Sequence, residues 1–289
     1  MFITTTAMND TILQLLSYDF FRNALLAALL SSITCGIIGS YIVARRMVFI
    51  SGGITHASFG GIGIGYFLGM NPIVGAVIFS LLSAFGIRLA SQRTDIREDS
   101  AIGILWSLGM ALGIIFIFLT PGYAPNLMNY LFGSVLTVSD TDLWMMLALT
   151  ILTIAFFSIF YHTILFISFD EEYARSHKAP VELFNYILLA LVALAIVLHI
   201  RVAGIILVIS YLTIPQTTAN IFYSDLRRII FLSIAISLLG SIAGLLISYY
   251  LNLPSGATII FVFVLCFALA KAVRSVMIKA GLRKSVQNK

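Results

Sequence analysis

The feature that most constrains this chain is the length of its uncharged runs. Met47 to Ile87 holds no Asp, Glu, Lys or Arg, and neither do Asn23 to Ala44 or Ala101 to Thr120. A helix needs about 20 apolar residues to cross the hydrocarbon core of a bilayer. Of the 289 residues, 60% are hydrophobic and only 10% are charged, too few charges to cover a water-facing surface. That excludes a soluble enzyme, a disordered chain and a nucleic-acid-binding module, despite the formal net charge of +5. In a membrane chain such a surplus reports cytoplasmic loops and anionic lipid. The sequence therefore predicts an all-α, polytopic helical membrane protein.

The spans follow from the breaks. Asn23–Ala44 closes on Arg45-Arg46. Met47–Ile87 is long enough for two spans, divided at Asn71-Pro72, because Pro ends one helix and suits the start of the next. Ala101–Thr120 is the fourth span, Leu143–Phe166 the fifth, Leu183–His199 the sixth and Ala203–Tyr223 the seventh. Ile229–Leu251 and Ala257 to about Ala272 complete nine, or eight if the polar, Pro-bearing seventh is not counted. Leu127–Ser139 is half a bilayer long and reads as a short re-entrant or interfacial helix. The whole chain, 1–289, reads as a single transmembrane domain. Residues 1–19 form an amphipathic outer-face segment rather than a cleavable signal, and 273–289 a basic cytoplasmic tail. Cys35 and Cys266 lie in apolar runs and read as small core residues.

Lys and Arg favour the cytoplasm in short loops. With nine spans and the amino terminus outside, fifteen of the seventeen basic residues fall on the cytoplasmic side, leaving Arg22 and Arg201 outside.

No phosphate-binding loop of the GxxxxGK[ST] type, no HExxH and no GxSxG occurs, and no span carries a central Asp or Glu. Proton- and sodium-coupled transporters usually keep such a carboxylate. The second span is the unusual one. Gly52, His56, Gly60 and Gly63 share one helical face, with Ser51, Thr55 and Ser58 beside it. His56 is ten residues beyond Arg46, about 15 Å along a helix and near the bilayer midplane. Two readings fit: a transient metal ligand, imidazole being a common one, or a histidine that joins closely packed helices.

In the seventh span Ser210, Thr213, Thr217 and Asn220 form a polar stripe beside Gln216. Pro215 lacks an amide hydrogen and frees the Tyr211 carbonyl. This reads either as a broken helix lining a wet path or as a Pro kink satisfied by nearby polar side chains. The segment Phe169–Pro180 (FDEEYARSHKAP) has Asp170, Glu171 and Glu172 at a helix start and Arg175 at i+4 from Glu171. It fits a short amphipathic helix that docks a partner, or a solvated loop. His162, His177 and His199 fall at span ends or in loops.

Taken in order, these segments resemble the integral membrane permease of zinc/manganese-type ABC importers. The resemblance runs from about Phe20 to Val276. It rests on Arg45-Arg46-Met47 before the segment ending in His56-Ala57, on Ala101–Trp106 after an acidic pair, and on Leu131-Phe132-Gly133. Phe169–Arg175, Ile214-Pro215 and Leu253-Pro254-Ser255-Gly256 complete it. It implies a homodimer in a bacterial inner membrane, two separate ATPase subunits that use the ATP, and an external metal-binding protein. It implies a transported divalent metal (zinc or manganese, or iron), no cofactor bound by this chain, and no ATP site of its own. His56 would be the transient metal ligand. Ser51, Gly52, Thr55, Thr213, Pro215, Gln216 and Thr217 would line the path. Asp170, Glu171, Glu172, Ala174 and Arg175 would couple to the ATPase. The family pattern places an Asp one turn before the His, where this chain has Gly52, and often a Gly where it has Lys178. The alternative is a secondary transporter or passive channel for a small cation, working without an ATPase.

Overall fold

The computed structural model describes residues 17–93, 96–121, 133 and 137–279. Most of the outer-face segment, most of the short helix expected over 127–139 and the end of the basic tail lie outside these residues. The described residues form helices: α1 (Asp19–Ala44), α2 (Val48–Phe67), α3 (Pro72–Arg93), α4 (Glu98–Leu119), α5 (Asp140–Ile159), α6 (Tyr161–Phe169), α7 (Glu171–Ser176), α8 (Val181–Asn220), α9 (Leu226–Leu251) and α10 (Ser255–Lys279). Eight of them are long and apolar enough to cross a membrane. Their boundaries follow local chemistry. Asn71 Oδ1 accepts the Ile73 amide ahead of α3. Ser139 and Asp142 form a capping box on α5, and Asp225 caps α9.

Contacts sort the helix ends into two sets. At one end Arg45 pairs with Glu171, Arg88 with Glu182, and Arg227 lies over the Tyr161 ring. This basic end gathers the α1–α2 corner, the end of α3 and the starts of α6 to α9. At the opposite end Asn23 donates to Asp140 (3.1 Å), Arg201 pairs with Asp142 (3.1 Å), and Arg201 shares a cavity with Asn71 and Pro72.

Helix α8 departs from the one-helix-one-span pattern. Its 40 residues would reach about 60 Å at about 1.5 Å per residue, twice the hydrocarbon core. Gly204 breaks it with φ 75° and ψ 164°, a conformation open to glycine. Before Gly204 the chain climbs from Glu182 at the basic end to Arg201 at the other. After it, Gln216 donates to the Cys35 carbonyl (2.7 Å), and Gly39 packs on Leu212 and Gln216. Cys35 and Gly39 lie far along α1 from Asn23, toward Arg45, so the second half of α8 returns to the basic end. Eight long helices thus make nine passages among the described residues, the sixth and seventh joined by a corner instead of a loop.

Helix α8 also forms the centre of the bundle, touching α1, α2, α3, α5, α9 and α10. That position changes the reading of His199. It stands at a span end as expected, yet it is buried (1% exposed), with Nδ1 2.7 Å from the Ala195 carbonyl.

Candidate metal pathway and coupling surface

Six glycines in the 20 residues of α2 would weaken a helix in water by roughly 1 kcal/mol each. In hydrocarbon the backbone has no alternative partner, so the helix holds and the missing side chains become packing space. A Cβ on Gly60 would stand 2.9 Å from the Gly109 carbonyl of α4. Gly63 meets Gly113 of α4, and Gly61 meets Gly75 of α3, still more closely. The three backbones therefore touch. Ser51, Thr55 and Ser58 are buried, and their hydroxyls donate back to Val48, Ser51 and Thr55 carbonyls (2.8, 2.6 and 2.6 Å). Their hydrogen bonding is closed within α2.

His56 is different. Its imidazole stacks on the Trp106 indole of α4, with centroids 4.0 Å apart and planes 9° apart. Nδ1 is buried without a hydrogen-bond partner. Stacking engages the ring face, whereas metal ligation uses an in-plane lone pair at the ring edge. Trp106 thus fixes the ring plane and leaves the edge free. Gly52, one turn earlier, has only Trp106 near its Cβ position, at 3.8 Å. Among the described residues no three His, Cys, Asp or Glu side chains gather into a cluster. The described residues thus bring one imidazole to this seam, too few groups for a closed metal cage. Trp106 belongs to a motif visible in the sequence; its role as a partner of His56 was not.

The second polar stripe lies apart from the first, against α1. Gln216 is fully buried, and its amide donates to Cys35 O and to Tyr211 O (2.9 Å), the carbonyl that Pro215 frees. Ser210, Thr213 and Thr217 donate to the carbonyls of Ile206, Ile209 and Thr213 on their own helix. Thr217 is exposed, Thr213 half-buried and Pro215 buried.

At the basic end, α7 is fastened to the bundle at both ends. Asp170 caps it by accepting the Tyr173 amide (2.9 Å). Glu171 accepts from Arg45 and from Asn185 of α8 (2.9 Å), and Arg45 also donates to the Ile167 carbonyl (2.8 Å). Arg175 pairs with Glu182, which Arg88 of α3 shares (2.9 Å). Ala174 is buried. Burial, the largest single influence, raises the Glu171 pKa, but Asn185, Arg45 and Arg88 outweigh it and hold the carboxyl below its ordinary value. The outward side of α7 is Glu172, Tyr173 and Ser176; Tyr173 is 46% exposed and packs on His177 (4.2 Å). Glu171 therefore faces the bundle, where the i+4 pattern had suggested pairing with Arg175 on an outer face. Lys178 ends the segment in the left-handed region (φ 59°), the geometry that glycine favours. Glu182 and Asn185 carried no sequence signal, since their roles depend on which helix ends meet.

The profile of the ABC 3 transport family matches residues 17–274. The chain belongs to that family. As an ABC 3 transport chain it is similar to a membrane protein of Synechocystis (41% identity, covering 93% of this chain and 96% of that one). It is also similar to the manganese transport system membrane protein MntC of Halalkalibacterium halodurans (37% identity, 89% and 88%). Among solved structures it matches PsaBC from Streptococcus pneumoniae in complex with Fab, at a TM-score of 0.82 and 32% identity over 91% of this chain and 95% of that one. The chain is thus a multi-pass, helical membrane permease of the ABC 3 type.

Proposed function

We propose that this chain is the permease subunit of an ATP-driven importer of divalent metal ions, with manganese the foremost cargo. Two copies form the translocation unit. Two separate ATPase subunits dock at the basic end through the Glu172–Tyr173 side of α7 and supply the ATP chemistry, since this chain has no phosphate-binding loop. An external metal-binding protein delivers the ion at the end that carries Arg201. The amino terminus is outside and the carboxyl terminus cytoplasmic, a reading supported by nine passages and by the basic residues at one end. The manganese assignment is supported by the printed names of relatives in Halalkalibacterium and Listeria.

The observation that carries the reading is the buried, unpartnered Nδ1 of His56 on a face that also holds Gly52 and Gly60, the ring plane fixed by Trp106. In transit the neutral imidazole gives a lone pair to the ion, which keeps water or gains the second chain's His56. Ser51, Gly52 and Thr55 remain the proposed lining, with the hydroxyls acting through their already bonded oxygens; Thr213, Pro215, Gln216 and Thr217, expected from the sequence to line the path, lie apart against α1 and are read as scaffold instead.

The test is Mn(II) uptake by cells expressing His56→Asn with its ATPase. Uptake should fall by about a hundredfold, the upper end of what losing even a partner that orients a metal ligand costs, with membrane level and ATPase association unchanged. Near-normal uptake by a well-expressed variant removes His56 from the path. A reporter active only outside the cytoplasm, fused after Lys289, should stay silent; activity there overturns the orientation.

A further inference from the structure

Two apolar grooves open on the flanks of α9 near its start. One, about 550 Å³, lies between α1, α5 and α9 and is lined by Ile33, Ile37, Ile154, Phe157, Ile230 and Ile234. The other, about 430 Å³, is formed by Leu232 and Ala235. Phe231, 74% exposed, lines both and divides them. Each groove carries one arginine at its basic end. Arg227 stands over the Tyr161 ring (4.4 Å) in the first, and Arg228 over the Tyr223 ring (5.7 Å) in the second.

Helix geometry makes this arrangement one unit. Arg227 and Arg228 precede Phe231 by four and three residues, so both guanidiniums sit one turn above its ring, one to each side. Neither has a carboxylate partner among the described residues. The adjacent Asp225 is taken up in capping the Arg228 amide (3.0 Å). The tyrosine rings hold the arginines through cation–π contact without neutralising them.

A phospholipid has the matching shape: one anionic phosphate and two acyl chains diverging below it. A second copy of this chain would offer its own apolar surface but no reason for two unneutralised cations at the groove mouths. We infer that an anionic phospholipid of the leaflet at the basic end binds astride Phe231. One acyl chain occupies each groove, and the phosphate lies between Arg227 and Arg228.

The test counts lipids on the full-length chain purified in detergent, by native mass spectrometry after incubation with equimolar phosphatidylglycerol and phosphatidylcholine of identical chains. The wild type should retain phosphatidylglycerol in preference by about tenfold or more, since each juxtamembrane Arg adds attraction for an anionic headgroup. The double variant Arg227→Gln/Arg228→Gln should lose that preference, while Lys271→Gln/Arg274→Gln on the basic end of α10 should keep it. Ile234→Trp, which fills the larger groove and leaves both charges, should lower retention of both lipids. Equal retention of the two lipids by the wild type overturns the inference. So does an unchanged preference in the α9 double variant, full retention by Ile234→Trp, or a disulfide-linked dimer formed by Phe231→Cys, which would show that a second copy covers this face. No readout depends on transport, so failure here leaves the metal reading untouched.

Discussion

The seam between α2 and α4 and the seam between α1 and the returning half of α8 are both rich in small and polar residues, yet they are built on opposite terms. In the second, the side-chain donors find acceptors: the Gln216 amide bridges Cys35 and Tyr211, and the hydroxyls of Ser210, Thr213 and Thr217 turn back on their own helix. In the first, the hydroxyls are closed in the same way, but the backbones touch through Gly60, Gly63, Gly109 and Gly113, and one imidazole keeps a bare buried nitrogen. Polar residue types inside a membrane helix therefore do not separate scaffold from path. Each seam keeps a buried polar atom without a partner, Nδ1 of His56 in the first and Oε1 of Gln216 in the second, so the difference lies in the kind of group: an imidazole nitrogen on a stacked ring, against an amide whose NH2 is anchored to two carbonyls.

The comparison is broken most severely by Gly61→Val. A side chain there would overlap the Gly75 carbonyl of α3, and overpacking should cost about 3 kcal/mol. The expected result is loss of folded, membrane-inserted protein, read by fluorescence-detected size exclusion. A variant that accumulates normally would mean the glycine seam can part. Gln216→Leu sharpens the contrast from the other side. It strands the Tyr211 carbonyl, removes the bridge to Cys35 and should destabilise by about 1–3 kcal/mol. The thermal midpoint should fall while Mn(II) uptake per assembled chain stays within about twofold. A selective loss of uptake would make the α8 stripe part of the path.

Glu171→Gln is expected to be milder, about 1 kcal/mol, because the Arg45 pair is only partly shielded from water. Its sign with pH is fixed. The folded pKa lies below the ordinary value, so the stabilisation is full above that value and is lost as pH falls through the folded one. Thermal midpoints of the wild type should drop over that acidic window, and Glu171→Gln should flatten the drop. Glu172→Lys, on the exposed side, should instead weaken ATPase co-purification at unchanged stability; the reverse pattern would exchange the roles of the two glutamates. Smallest is Gly52→Ala. Its Cβ meets only Trp106 at ordinary contact distance, so stability should shift by less than about 0.5 kcal/mol. A large fall in the midpoint would show that the space beside His56 is tighter than the seam suggests.

Much of the architecture was legible in the sequence, because charge and apolar length act one residue at a time. The Asn71-Pro72 division, the break after Arg45 and the gathering of basic residues need no knowledge of neighbours. What escaped depends on which elements meet. The burial of His199 follows from the central place of α8, and the inward turn of Glu171 follows from the arrival of Arg45 and Asn185 beside it. The link between His56 and Trp106 joins residues fifty positions apart across two helices. The freed Tyr211 carbonyl was predicted from Pro215 alone, but its satisfaction by Gln216 required knowing that this side chain faces back along its own helix.

The corner at Gly204 bears on how the chain is made. Two membrane passages joined by one residue leave no loop at the far side, so neither half can be released into lipid while the other waits in the insertion machinery. The stretch from Val181 to Asn220 is expected to enter the bilayer as one hairpin, with Arg201 near its tip and Asp142, earlier in the chain, there to pair with it.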